Sequence, residues 1–327
     1  MKRLFVCVNS VSADLRLYEL DMTDDANWTV SEVGQQPILG VEGNSAAMSA
    51  TCFGDHLYLA WRGSNPAILT YRMDPAKRSF DLIGNLPIKE SCCYLSTSQD
   101  GRFLLAAGDD KALSIRISRT GVAEELISRT HLGSMAHCLI VHQDRAFGTA
   151  CRDDLLRAFS FDREKGTLTE TGSLAFPKES GPRHIAIAPE GDRLFVVTQE
   201  GGSVAVISTS DVSRLSHNVK LTRDDTEPLA GDIAISEDGQ FLFVTERTTQ
   251  SIFSLRAGNQ SQAPSLISRT VSPEHARVAC LSEDNSFLIA LGFRDQTGRV
   301  YAVESDGSLS QKVDFSTGDR PSWVLEL

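Results

Sequence analysis

A pattern that returns seven times along the chain restricts its folding more than any single motif does. Each unit has a polar turn, a short apolar run and a second alternating run: "KRLFVCVNS…DLRLYELD", "DHLYLAWRG…AILTYRMD", "GRFLLAAGD…ALSIRIS", "DRAFGTACR…LLRAFSFD", "DRLFVVTQE…SVAVIS", "GQFLFVTER…SIFSLR" and "NSFLIALGF…GRVYAVES". Equivalent positions are Leu4, Leu57, Phe103, Ala146, Leu194, Phe241 and Phe287, spaced by 53, 46, 43, 48, 47 and 46 residues. The step from Phe287 across the termini back to Leu4 is 44, so the seven units close on themselves. A period of about 40–50 residues with several short strands per unit marks a β-propeller, in which four-stranded blades pack face to face around a channel. The expected architecture is all-β, a seven-bladed β-propeller, with residues 1–327 forming one propeller domain that no glycine- or proline-rich linker divides.

An apolar run also precedes most of the turns: "CYLSTSQDG", "HCLIVHQD", "HIAIAPEGD", "DIAISEDG" and "RVACLSEDN". These are predicted to be innermost strands. The first unit has no such run, whereas the chain ends on an unpaired "RPSWVLEL". The C-terminal strand is therefore expected to join the N-terminal blade and close the ring, because an open ring would leave a sheet edge and face unburied. Residues that begin the innermost strands then converge on one mouth of the channel. Among them are His137, Arg183, His184, Asp232 and Arg277.

Composition bounds the partners. The net charge of −11 argues against nucleic-acid or anionic-membrane binding, since both need a basic field, so neither is expected as a partner. An anionic ligand would need a local basic pocket. Seven cysteines, including the adjacent Cys92 and Cys93 but no C-x-x-C spacing, fit reduced thiols in a cytoplasmic protein. The apolar stretch Leu4 to Val8 is shorter than a signal peptide requires, and no run approaches the roughly 20 residues of a membrane helix. Outside secretion the "NWT" sequon at Asn27 has no meaning. Scattered His and Cys residues show no paired-ligand spacing, so neither a metal nor an organic cofactor is expected. The "EGG" of Glu200 to Gly202 reads as a hairpin turn, because no helix follows to cradle a phosphate. Trp61 and Trp323 could line the mouth, but blade packing is the reading preferred for both. A monomer or weak homodimer is expected.

With these segments in view, the sequence resembles the seven-bladed lactonase family, which includes propeller-type 6-phosphogluconolactonases and carboxymuconate cyclases. The strongest segment is "GPRHIAIAPEGDRLFVV", similar to the family's G-P-R-H followed by two strands and Asn-Glu; next is "GDIAISEDGQFLFVTERTTQSI", similar to D-I-H-x-x-x-D-G-x-x-L-Y ending in Arg. "MAHCLIVHQD", "ARVACLSEDN" and "HLYLAWRGSNPAILTYRMDP" fit further blades that carry a His, a Pro-Arg and an Arg. The resemblance covers nearly the whole chain and implies a ligand site with Arg62, His137, Arg183, His184, Arg247 and Arg277. Two positions depart from it. Thr198-Gln199 stands where the family has Asn-Glu, with Glu200 one residue later, and Ala234 replaces the His of D-I-H. Side chains alternate along a strand, so Glu200 could stand in for that carboxylate only through a bulge or shift.

The implied chemistry is hydrolysis of a sugar-acid lactone, with phosphate as the expected anionic group. It needs an activated water, an oxyanion stabiliser and a grip on the rest of the substrate. Arg62, Arg183 and Arg247, on different blades, could surround a phosphate, because guanidinium binds it in a fork and stays charged. His137 is the leading general base, His184 can orient Arg183, and Asp232 is a second candidate base. Gln199 can orient a water but cannot take its proton. Two alternatives stay open: a non-catalytic binding module that keeps the anion pocket, and a lactonising muconate-type cyclase, since the fold supports both directions.

Overall fold

The computed structural model describes residues 1–41, 47–74, 76–222 and 227–327. They form seven four-stranded antiparallel sheets arranged as a seven-bladed propeller. The second to seventh blades span 47–87, 92–131, 136–175, 182–220, 230–271 and 276–316. The first blade combines three N-terminal strands, Lys2–Asn9, Asp14–Asp21 and Thr29–Pro37, with the C-terminal strand Pro321–Glu326. That strand lies innermost and pairs antiparallel with Lys2–Asn9, from Phe5 opposite Glu326 to Val8 opposite Trp323. The expected seven blades and ring closure are both present.

Burial explains the repeated pattern. The second strands of the third, fifth, sixth and seventh blades, Phe103–Gly108, Arg193–Thr198, Phe241–Glu246 and Phe287–Gly292, are buried at every position because neighbouring blades cover both of their faces. Such strands read as continuous apolar runs. Outermost strands such as Ser265–Val271 meet solvent and carry polar residues. The core lies between blades. Phe5, Tyr18 and Leu20 of the first blade pack with Val278, Phe287 and Ile289 of the seventh, and Val6, Val8 and Leu17 pack with Leu57, Leu59 and Tyr71 of the second. Trp61 is in this last cluster, 3% exposed, so blade packing is its role. Buried tyrosines add polar links between blades: the Tyr18 hydroxyl donates to the Ser316 carbonyl at 2.9 Å, and that of Tyr58 to Gly121 at 2.8 Å.

The turns between first and second strands also repeat. In Ser98-Gln99-Asp100-Gly101, Ser236-Glu237-Asp238-Gly239 and Ser282-Glu283-Asp284-Asn285 the serine hydroxyl accepts the N–H of the next strand's first residue, at 3.0, 2.9 and 3.0 Å. The fourth position has φ of 66, 70 and 58°, the left-handed region that glycine and asparagine tolerate best. The innermost strand of the second blade, Ala47–Phe53, has no strong signal in "AMSATCF" and was not distinguished from sequence.

Deleting Pro321 to Leu327 would strip the innermost strand from the first blade and expose the inner faces of both its neighbours. Each large apolar side chain so exposed costs about 1.5–3 kcal/mol. The truncated chain should lose its cooperative thermal transition or melt about 10 °C or more below the full chain, measured by differential scanning calorimetry. An unchanged midpoint would show that the ring is held closed by other contacts.

Candidate active site

Each of the seven innermost strands begins with a break in register against the second strand of its blade. The residues at these irregularities include Cys93, His137, Arg183, His184, Asp232 and Arg277. A bulged residue escapes the alternation of the pleat and is aimed independently of its neighbours. The repeat thus places reactive side chains, rather than core residues, at one mouth of the channel. A second set comes from the residues just after the second strands: Arg62, Asp109, Cys151, Gln199, Arg247 and Phe293.

Arg62, Arg183, Arg247 and Arg277 make no ion pair with a carboxylate of any described residue, although surface arginines elsewhere in the chain do so readily, such as Arg299 with Asp314 at 2.6 Å. Their partners are neutral. Arg62 Nε donates to the Ser91 hydroxyl at 3.0 Å. Arg183 donates to the Gly231 carbonyl. Arg247 donates to the carbonyls of Leu229 and Ala230 at 2.8 and 3.0 Å and to Gln199 Oε1 at 2.7 Å. Arg277 lies over the Phe293 ring, 4.8 Å from its centroid. Burial, followed by the charges of Arg183 and Arg277, pulls Arg247 down to about 9, and burial with Arg183 pulls Arg277 down to about 10. Cations crowded in this way without an ion-paired carboxylate favour an anion from outside.

A cavity of about 320 Å³ opens among Arg62, Arg152, Arg277, His137, Cys93 and Asp109. Arg183, Arg247, His184 and Gln199 do not line it. Arg183 and Arg247 instead brace the start of the sixth blade's inner strand from beside the cavity. Beneath the mouth lies an aromatic layer. His184 is 5.0 Å from His137, 5.1 Å from Tyr94 and 5.9 Å from Trp323, measured between ring centroids. Trp323 meets this layer and also packs against the inter-blade clusters on both sides of the first blade. A separate cavity of about 560 Å³ is lined by Tyr94, Trp323, Asp232 and Ala234, so the departure at Ala234 falls outside the arginine-lined space.

His184 Nδ1 lies 2.6 Å from Asp232 Oδ1 and 3.4 Å from Arg183, which can only donate. The shorter contact to a carboxylate fixes the tautomer: Nδ1–H donates to Asp232, and Nε2, buried without a partner among the described residues, keeps its lone pair. Asp232 also accepts the N–H of Ala279 at 3.1 Å. Burial opposes its charge, but His184, that N–H and Arg183 together hold its carboxyl below the ordinary range. His137 is depressed well below 6.5 by burial and then by Arg183 and His184, so its imidazole is neutral.

At the disputed turn, the strand ends at Thr198 and alternation no longer governs the residues beyond it. Gln199 spans two charges: its Oε1 accepts from Arg247 and its Nε2 donates to Glu200. Glu200 is exposed and is bonded to this amide.

The family described as "Lactonase, 7-bladed beta-propeller" matches residues 16–326. The chain belongs to this lactonase family. A Xenorhabdus nematophila protein named 6-phosphogluconolactonase is 25% identical over 312 residues, 92% of this chain and 94% of its own. One of the same name from Pectobacterium carotovorum is 26% identical, with 83% and 85% covered. Among solved structures, a Lactobacillus plantarum protein superposes with a TM-score of 0.88 at 18% identity, covering 100% of both chains. The periplasmic gluconolactonase of Pseudomonas aeruginosa gives 0.83 at 17% identity, with 100% and 99% covered. These last two establish the shared fold.

In this member of the lactonase family, sequence reasoning passed over Cys93, Asp109, Arg152 and Phe293. The signal for three of them was available: Asp109, Arg152 and Phe293 follow second strands within two residues, as Arg62 and Arg247 do.

Burial and the Arg183 charge hold His184 at about 4, with Asp232 pulling the other way. Between pH 6.5 and about 4 the unfolded chain binds a proton here that the folded chain does not, so stability is complete above 6.5 and falls toward 4. His184→Gln removes that titration, while His137 and His275, depressed in the same direction, leave part of the slope. Urea midpoints should therefore fall less steeply between pH 7 and 4.5 in the variant than in wild type. Equal slopes would mean that His184 titrates in the fold as it does in the unfolded chain.

Proposed function

We propose that this chain hydrolyses a small sugar-acid lactone bearing a phosphate, as the name 6-phosphogluconolactonase of its relatives suggests. The observation that carries this reading is the set of arginines at the channel mouth that lack carboxylate partners, gathered around a space of about 320 Å³. Ligand cavities run from about 300 to 1,000 Å³, so this one suits a single sugar-sized molecule. Arg62 and Arg152, which line the cavity with Arg277, are the groups that would hold the phosphate. Arg183 and Arg247, already engaged with backbone carbonyls, keep the start of the sixth blade in place and add positive potential from beside it.

Hydrolysis places negative charge on the carbonyl oxygen as water adds, and a preorganised cation stabilises that oxyanion at no reorganisation cost. Arg277 suits this role because Phe293 fixes its guanidinium plane while leaving its N–H groups free of carboxylates. His137 borders the same space as a neutral hydrogen-bonding group, since adding a proton would set one more positive charge beside Arg183 and Arg277.

Acid release from 6-phosphogluconolactone should exceed the spontaneous rate when protein is added. Arg277→Ala should lower kcat/KM by about tenfold or more, given the roughly 1.5–3 kcal/mol of a hydrogen bond to a charged group. Unphosphorylated gluconolactone should show a higher KM than the phosphorylated substrate. No rate above background, with 6-phosphogluconate still bound in calorimetry, would favour the non-catalytic binding module.

A further inference from the structure

Gln199 brings an amide to the mouth where a carboxylate could take a proton, and the same ring of residues supplies a carboxylate elsewhere. Asp109 follows the second strand of the third blade, Phe103–Gly108, as Gln199 follows that of the fifth, Arg193–Thr198. A matching hydrogen bond establishes their equivalence. The Asp109 carbonyl accepts the N–H of Ala136, first residue of the next blade's inner strand, at 2.8 Å, and the Gln199 carbonyl accepts that of Ala230 at 2.9 Å. Asp109 is thus the counterpart of Gln199 two blades earlier, and unlike Gln199 it lines the arginine-rich cavity with His137, Arg62 and Arg277.

The carboxylate is held in place but not neutralised. Its Oδ2 accepts the N–H of Ser91 at 3.1 Å, and the Ser91 hydroxyl in turn accepts from Arg62 Nε at 3.0 Å. Oδ1 has no partner among the described residues, and no described cation forms an ion pair with the group. The backbone has a φ of 50°, which Asp and Asn accept more readily than other side chains. Of the other candidate bases, His137 borders the cavity, but burial and the Arg183 charge oppose its taking a proton; the rest are committed or poorly placed. Asp232 is bound to His184 and Ala279. Glu200 is bonded to Gln199 and lies outside the cavity lining. The Cys93 thiol is kept protonated by burial.

We propose that Asp109 is the general base for the lactone hydrolysis proposed above, on which this assignment rests. Its carboxylate takes a proton from a water molecule as the water oxygen bonds to the lactone carbonyl carbon, and the carbonyl electron pair moves onto oxygen. That pair then returns as the bond from the carbonyl carbon to the ring oxygen breaks. The departing ring oxygen takes the proton back from the Asp109 carboxyl. Water and lactone thereby become one hydroxy acid, with no further reactant.

Asp109→Asn retains an oxygen to accept the Ser91 N–H and a residue type suited to the backbone, and removes only the proton acceptor. Its kcat on 6-phosphogluconolactone, corrected for spontaneous hydrolysis, should fall about 100-fold or more, with KM within about threefold and the melting midpoint unchanged. Formate should restore part of the rate to Asp109→Ala by filling the vacated space with a carboxylate, which a merely structural role would not allow. A kcat for Asp109→Asn within threefold of wild type overturns the assignment. Should that variant fail to fold, absence of formate rescue in Asp109→Ala overturns it equally. A wild-type rate no higher than background would instead overturn the lactonase reading, and this assignment with it.

Discussion

The pairing of Pro321–Glu326 with Lys2–Asn9 joins the two ends of the chain and holds every other blade in register around the axis. A propeller blade is stable only when both faces are covered, and each covers the next, so one missing contact opens two apolar faces. Closure here is also coupled to the site. The closing strand carries Trp323, which meets Tyr94 and His184 on the channel axis and completes the layer beneath the mouth. The ring's weakest covalent point is therefore tied to the floor under its most polar region.

Above that floor the fold concentrates charge that it does not neutralise. Buried arginines without carboxylates cost stability, and the depressed values of Arg247 and Arg277 express that cost. The hydrogen bonds from Arg183 and Arg247 to the carbonyls of Leu229, Ala230 and Gly231 offset part of it by satisfying polar groups on both sides. Under the proposed function, an incoming anion supplies the missing charge. Polar residues set into strand irregularities, in a molecule otherwise packed with Val, Leu, Ile and Phe, mark the place where local packing yields to binding.

The architecture was legible because each blade repeats the same local chemistry. The Ser-x-Asp-Gly turns and largely apolar second strands encode their own conformations, and seven spacings of 43 to 53 residues count the blades. Ala47–Phe53 escaped notice because small residues in "AMSATCF" carry neither alternation nor a strong apolar run. The Arg, His and Asp residues at the starts of the inner strands stood out in the same way, since such groups are rarely placed at strand ends without a reason. Asp109 and Arg152 did not, because "GDD" and "CRDD" look like ordinary polar turns until it is known which second strand each of them follows.

Sequence by itself determined the seven blades, the closing strand, the lactonase resemblance and the gathering of basic residues at one mouth, all of which follow from period, spacing and residue type. Only the tertiary structure decided how those residues divide. Arg62 and Arg277 border open space, whereas Arg183 and Arg247 spend their donors on backbone carbonyls. His184 is fixed in one tautomer by Asp232, Ala234 belongs to a different cavity, and Asp109 rather than Gln199 brings a carboxylate to the arginines. The physical reason is that a strand pattern states which face a side chain leaves from only while the pleat continues. At these ends the pleat is broken, and aim is then set by contacts between blades that lie tens of residues apart in the chain.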